Sequence, residues 1–209
     1  MKVLAHRGHW LTRPDMNSMT AFERAWAGGY GIETDLRDLD GEAVISHDPP
    51  RRGAHTLAQF LEAYAARGAD TPLALNIKAD GLQDAVAKAL AQYRVRNAFV
   101  FDMSVPDSLH YLRNGVPAFL RLSEYEGETA LLERAAGIWL DGFESEWWSL
   151  DIIRTLCSRK KAIAIVSPEL HGRPHESAWQ MLKGLEGNLR DMVMLCTDFP
   201  DRADAFFGK

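Results

Sequence analysis

The chain has 209 residues, 46% of them hydrophobic and 25% charged, with a formal net charge of −5 and seven histidines. That balance excludes a disordered chain and gives no support to nucleic-acid binding, which needs a basic face. A chain this long can bury a continuous core without disulfides or structural metals, and it reads as one domain over residues 1–209.

The opening Met1-Lys2-Val3-Leu4-Ala5 leads into no long apolar run, so no secretory signal is expected. No stretch reaches the length of a membrane span, and the expected location is cytoplasmic. Lys2 to Ala5 predicts the first strand. Asn17 or Ser18 caps a helix over Met19 to Ala27, stopped by Gly28-Gly29. A strand follows over Gly31 to Leu36, and after the turn Asp40-Gly41 comes an extended piece, Ala43 to Ser46. Thr56-Leu57-Ala58-Gln59 is a capping box whose helix ends at Gly68.

Pro72 opens the strand Leu73 to Ile77, the helix Leu82 to Tyr93 comes next, and then the strand Ala98 to Met103. Pro106 suits the first turn of a helix that ends at Gly115. Further strands are predicted near Ala118 to Leu122, Ile138 to Leu140, Ala162 to Val166 and Met192 to Cys196, with helical patterns between them. Arg159-Lys160-Lys161 falls where a helix should end and complements its dipole. Cys157 and Cys196, in a helical and a strand pattern, read as reduced packing residues. Setting the extended piece aside, the alternation gives eight strand–helix units, the pattern of a (β/α)8 barrel, with an open doubly wound sheet as the alternative.

The polar residues gather at the C-terminal ends of these strands, the active-site face of barrel enzymes. Glu33 and Asp35 are two apart on a strand and share a face. Two adjacent carboxylates repel unless a cation separates them. A hard divalent ion would do so, or else ion pairs with Arg7, Arg37 or Lys78. His6 and His47 end extended segments beside acidic partners and suit general acid–base work. His171 follows Glu169 on the same rim and is a weaker candidate, whereas His110 lies in a helix and is expected to face solvent. Arg7 and Lys78 would supply fixed positive charge for a phosphate. Together these groups describe a site for splitting a phosphodiester. Trp147-Trp148, beyond the sixth strand, are expected to pack in the core rather than wall the pocket.

The same residues resemble the motifs of the glycerophosphodiester phosphodiesterases. His6-Arg7-Gly8 is similar to the family's opening motif, and Asn17-Ser18 with Ala21-Phe22-Glu23 resembles its first-helix signature. Glu33-Thr34-Asp35, Asp40-Gly41 and Ser46-His47-Asp48-Pro49 follow in the family's order, and Thr197-Asp198-Phe199-Pro200 resembles its closing motif. The resemblance is dense over the first 50 residues and sparse but ordered afterwards. It implies a barrel, one divalent cation (Mg²⁺ or Ca²⁺), catalytic histidines at His6 and His47, and metal ligands at Glu33 and Asp35. The family's third ligand is a glutamate two residues before the strand-end lysine. Asn76 stands there, so an amide oxygen is the expected third ligand. The family's Pro-Glu-Asn-Thr is replaced by Asp15-Met16-Asn17-Ser18, and the short stretch from His47 to Asn76 leaves no room for the family's inserted subdomain. The expected substrate is a small glycerophosphodiester-like molecule. The alternatives are a lyase resembling the sphingomyelinase-D-like toxins and a barrel that binds a phosphorylated ligand without turning it over.

Overall fold

Short strands that are apolar on both faces need cover on both faces. A computed structural model, which describes residues 1–208, shows how the chain supplies it. Its strands are β1 (Lys2–His6), β2 (Gly31–Leu39), β3 (Glu42–Ile45), β4 (Leu73–Ile77), β5 (Ala98–Phe101), β6 (Phe119–Leu122), β7 (Gly137–Leu140), β8 (Ala162–Val166) and β9 (Val193–Thr197). The helices are α1 (Met19–Ala27), α2 (Leu57–Ala66), α3 (Gln83–Gln92), α4 (Val105–Arg113), α5 (Leu150–Ser158), α6 (Glu176–Leu182), α7 (Asn188–Met192) and α8 (Pro200–Phe207).

Eight strands run parallel in the order β5-β4-β2-β1-β9-β8-β7-β6. A bridge between Val100 and Ala118 joins the two ends, where the Val100 N–H donates to the Pro117 carbonyl at 2.9 Å. The result is the expected (β/α)8 barrel. β3 stands outside the ring and pairs antiparallel with the far end of β2, Leu36 opposite Ile45. Several helix starts are set by side-chain caps: Ser18 accepts from the Ala21 N–H, Ser149 from Ile152, and Thr56 and Gln59 close a full capping box. The predicted helical pattern fails in one place. Between β6 and β7 the chain forms a tight turn, with the Ser123 N–H donating to the Glu126 carbonyl at 3.1 Å, and then only the 3₁₀ turn Ala130–Glu133. No helix among the described residues is long and apolar enough to cross a membrane.

Strand side chains alternate, so the barrel has two cores. The larger lies between sheet and helices and includes Phe22, Ile32, Leu75, Val100, Ile138 and Leu195. The smaller fills the barrel interior with Leu4, Ala74, Phe99, Phe101, Phe119, Trp139, Ala164, Val166, Met194 and Cys196. Phe99 stacks on Phe119 and Phe101 on Trp139, each pair with ring centroids 3.7 Å apart. Each such ring contributes about 1.5–3 kcal/mol by leaving water. Cys157 and Cys196 are buried free thiols, as expected.

The interior tolerates little extra volume. A Cβ on Gly137 would lie 2.5 Å from the Ala162 carbonyl oxygen and 2.5 Å from Phe119 Cζ. Backbone on one side and a stacked ring on the other leave it nowhere to go. Gly137→Ala is therefore expected to destabilise the fold by about 1–3 kcal/mol, the usual cost of overpacking. Urea denaturation measures this, and a wild-type midpoint would contradict the packing described.

Candidate active site

The polar mouth of the barrel follows from the same alternation as its apolar floor. Two residues beyond an inward apolar residue comes another inward position. Leu4 is thus followed by His6, Ala74 by Asn76, Phe119 by Arg121, Trp139 by Asp141 and Cys196 by Asp198. On β2 both Glu33 and Asp35 take such positions and are 2% and 1% exposed. The cavity above the floor has a volume of about 260 Å³ and is lined by His6, Glu33, Asp35, Asn76, Arg121 and Asp141, with Arg7, Lys78, Asp102, Phe143 and His171 among others.

At the end of β1 the chain turns sharply, with Arg7 at φ 56° and Gly8 at φ 84°. A Cβ on Gly8 would meet the Ala21 backbone at 2.9 Å, so the turn lies directly on α1. This turn aims the Arg7 N–H at the Glu33 carbonyl (2.9 Å) and at Glu33 Oε2 (3.3 Å). His6 Nδ1 meets Asp198 Oδ1 at 2.6 Å, and its Nε2 lies 3.9 Å from Glu33 Oε2. Burial opposes charge on His6, but the hydrogen bond to Asp198 and the charge of Glu33 outweigh it and raise its pKa.

Asp35 is surrounded by cations and donors. Arg7 Nε stands 3.1 Å from one oxygen and Lys78 Nζ 3.6 Å from the other, and Asn17 Nδ2 donates to Oδ2 at 2.9 Å. Asn17 in turn accepts from the Thr34 hydroxyl at 2.8 Å. Ser18 alone is the helix cap, which leaves Asn17 for the site. Arg37, one possible partner of the carboxylates, goes elsewhere: it donates to the His47 carbonyl at 2.8 Å and the Lys78 carbonyl at 3.2 Å. Glu33 is the less compensated acid. Burial, then repulsion from Asp35, push its carboxyl up to about 7.

Asn76 pairs in register with Asp35 across β2 and β4, and its buried Oδ1 has no hydrogen-bond partner. An orphaned buried acceptor calls for a donor or a cation. Two carboxylates and this amide form an all-oxygen donor set, which suits a hard divalent cation. Among the described residues, no three of His, Cys, Asp and Glu cluster in a metal-holding arrangement.

The far wall carries groups that the sequence marked only as strand-end polar residues, or not at all. Asp102 pairs with Arg121 at 3.0 Å and with Lys78 at 3.7 Å. Asp141 Oδ1 meets His171 Nε2 at 2.7 Å and accepts from the Gly142 N–H at 2.9 Å. Glu124 accepts backbone N–H bonds from Phe143, Glu144 and Ser145 at 3.0, 2.8 and 3.3 Å. Burial acts against its ionisation, yet those bonds bring its carboxyl down to about 2. The Phe143 ring it holds in place sits edge-on to His171, with centroids 5.1 Å apart. Behind His6, the half-buried Glu169 accepts from the Asp198 N–H at 3.2 Å and from the hydroxyls of Thr197 and Ser167.

His47 is not brought into this ring. It stands on the loop after β3, 45% exposed, paired with Asp48 at 2.9 Å, and does not line the cavity. Trp148 is buried in the core, and Trp147 donates to the Asp141 carbonyl at 2.6 Å; neither walls the cavity, as expected. His110 faces solvent. The signal that would have found Asp198, Arg121 and Asp141 is the two-residue step from the apolar floor.

No protein-family model matches the chain, and no curated protein matches it either. Solved structures do share its fold. A glycerophosphodiester phosphodiesterase from Parabacteroides distasonis is 18% identical, with a TM-score of 0.70 over 99% of this chain and 96% of that one. A second, from Agrobacterium tumefaciens, is 16% identical with a TM-score of 0.72 over 99% and 98% of the two chains. A Ca²⁺-dependent phosphatidylinositol-specific phospholipase C from Streptomyces antibioticus is 11% identical, with a TM-score of 0.58 over 99% and 96%. At these identities the likeness shows the fold.

The carboxylate pair leaves a mark on stability. Glu33 rises from an ordinary 4.5 to about 7 on folding, so the native state holds its proton longer than the unfolded chain does. Its contribution is complete below about 4.5 and is lost as the pH climbs through about 7. The raised pKa of His6 works in the same direction, through a range above its ordinary 6.5. In chelator, the difference in unfolding free energy between wild type and Glu33→Gln should fall with rising pH across that window. A difference that is flat from 4.5 to 7 would contradict the shift.

Proposed function

We propose that the chain is a metal-dependent phosphodiesterase that hydrolyses a small glycerophosphodiester-like substrate with histidine acid–base catalysis. One observation carries this reading: the buried Glu33–Asp35 pair, part-neutralised by Arg7 and Lys78, lies beside the orphaned Asn76 oxygen and the His6–Asp198 dyad. Glu33, Asp35 and Asn76 would hold one divalent cation, Mg²⁺ or Ca²⁺. Such an ion, when bound, supplies positive charge against the oxyanions of a transferring phosphoryl group. With the charge of Asp35 otherwise compensated, the Arg7 fork and the Lys78 ammonium are free to take phosphate oxygens.

Asp198 engages Nδ1 of His6, so Nε2 is the nitrogen left to face the reacting groups and receive a proton. A cavity of about 260 Å³ has room for a phosphate and one small alcohol, and a larger second alcohol would extend into solvent. The resemblance of the motifs places a second histidine at His47, on the rim. Fold neighbours that are glycerophosphodiester phosphodiesterases and a Ca²⁺-dependent phospholipase C support the reading.

A screen of phosphodiesters with Mg²⁺, Ca²⁺ or Mn²⁺ against a chelated control tests the proposal, and turnover indifferent to chelation would overturn it. His6→Ala is expected to lower turnover by at least about a hundredfold with the circular dichroism unchanged.

Calorimetry checks the ligands. Glu33→Ala and Asp35→Ala should each abolish metal binding. Asn76→Glu should tighten it, because a third carboxylate adds charge to the site. Flat affinity with lost activity in Asn76→Glu would make Asn76 a substrate contact instead.

A further inference from the structure

The ring of strands closes at a short join. Every other pair of neighbours in it is in register over three to five residues, but β5 and β6 meet only at the bridge between Val100 and Ala118. Above that bridge the strands part, and a cleft of about 250 Å³ opens between them. The surface it exposes is mainly apolar, from Met103 and Val105 on the β5 side and Phe119, Leu120 and Leu131 on the β6 side. Phe119 belongs to the barrel interior and Leu120 to the layer under the helices, so the cleft reaches through the barrel wall. Asp102 and Arg121 line both this cleft and the cavity of the candidate active site, so the two spaces adjoin. We propose that the cleft is a subsite for an aliphatic chain carried by the substrate's leaving alcohol. The inference rests on the phosphodiesterase reading and gives it a substrate class.

The geometry of displacement leads toward the cleft. Arg7 and Lys78, the groups proposed to take phosphate oxygens, flank Asp35 on β2, and the ring runs in the order β1, β2, β4, β5. In phosphoryl transfer the entering and leaving oxygens lie roughly in line on either side of phosphorus. With water beside His6 at the end of β1 and the phosphate beside β2 and β4, the leaving oxygen points toward β5. Asp102 stands at that strand end. Its φ of 68° breaks the strand alternation and turns its carboxylate over the mouth, to Arg121 and Lys78.

This threshold selects the chemistry of the occupant. Arg121 is the cation of the cleft, but Asp102 meets its Nη1 at 3.0 Å and Glu126 takes its Nε and Nη2. A guanidinium matched by carboxylates on two sides disfavours a second phosphate, and the apolar walls beyond it favour an uncharged chain. The outer side of the cleft is open to such a chain. No α-helix follows β6, only the 3₁₀ turn Ala130–Glu133, and Val105 on the opposite wall is 63% exposed. Gly127, also on the lining, has no heavy atom within 4 Å of the place a Cβ would occupy. The space is therefore kept free by a residue with no side chain, at a position where a side chain would fit.

Chain-length selectivity is the test, with the glyceryl phosphodiesters of methanol and of hexanol in Mg²⁺ or Ca²⁺. Each methylene taken out of water is worth about a fourfold gain, so the wild type should have a kcat/KM for the hexyl ester at least about tenfold above that for the methyl ester. Gly127→Phe fills the cleft. It should bring that ratio to about one by raising KM for the hexyl ester, and leave the methyl ester within about threefold of wild type, since it removes only binding of the chain. Val105→Asp places a charge at the exposed edge and should lower the ratio at least about threefold; an acidic residue in the first turn of α4 suits the helix, so this variant decides the matter should Gly127→Phe fail to fold. Turnover of both esters by the wild type at equal kcat/KM would overturn the subsite and leave the phosphodiesterase reading standing. So would a hexyl preference that survives both substitutions, or equal losses on the two esters in both variants. Absence of turnover of either ester by the wild type would instead overturn the phosphodiesterase reading, and the inference with it.

Discussion

Two carboxylates on consecutive inward positions of β2, both shut away from water, are the constraint around which the mouth of the barrel is organised. Unpaired, each would cost several kcal/mol to bury as an anion. The parallel order answers the problem through topology, since β2 lies between β1 and β4. Arg7 comes from the end of β1 and Lys78 from just beyond β4, so both neighbours deliver a cation to the same acid, Asp35. Glu33 receives a backbone N–H and a histidine at 3.9 Å. Burial, then the charge of Asp35, drive the upward shift of its carboxyl, which His6, Arg7 and Lys78 only partly oppose. The orphaned oxygen of Asn76 sits beside the same pair, so the unmet electrostatic need and the unmet hydrogen-bonding need coincide in space.

Much of this was legible in the sequence. Caps at Ser18 and Thr56 and the apolar runs of β1, β4 and β8 are local signals, and local signals determined most of the elements. Glu33, Asp35, Asn76 and Lys78 were legible as neighbours because two-residue spacing on a strand shares a face. What lay beyond local pattern was pairing at long range. His6 and Asp198 are separated by 192 positions and meet only because β1 and β9 are adjacent in the barrel.

His47 shows the reverse case. The sequence placed it at the end of an extended piece, as with the other site residues. That piece is β3, a hairpin partner outside the ring, and His47 on the loop after it does not line the cavity. The missing helix between β6 and β7 has a similar origin, since a turn closed by Ser123 and Glu126 is hard to separate from a short helical pattern in a charged segment.

The rim divides into a part fixed by the barrel and a part fixed by loops. On the β1, β2 and β4 side the functional groups project from strands or the residue just beyond them, and their positions are inherited from the sheet. On the β6 to β8 side the cavity wall depends on loop contacts: Glu124 binding three successive N–H groups, Trp147 bonded to the Asp141 carbonyl, and Arg173 joining two loops. Strand-borne groups set a fixed charge pattern, which under the proposed function suits the phosphate. Loop-borne groups such as Phe143 can change without disturbing the sheet, which under the proposed function suits the part of the substrate that varies. Each histidine dyad nonetheless has support behind it. Glu169 braces the segment that carries Asp198, and the Gly142 N–H holds Asp141. Under the proposed function, an acid–base group such as His6, whose partner is held in this way, needs little reorganisation when charge develops.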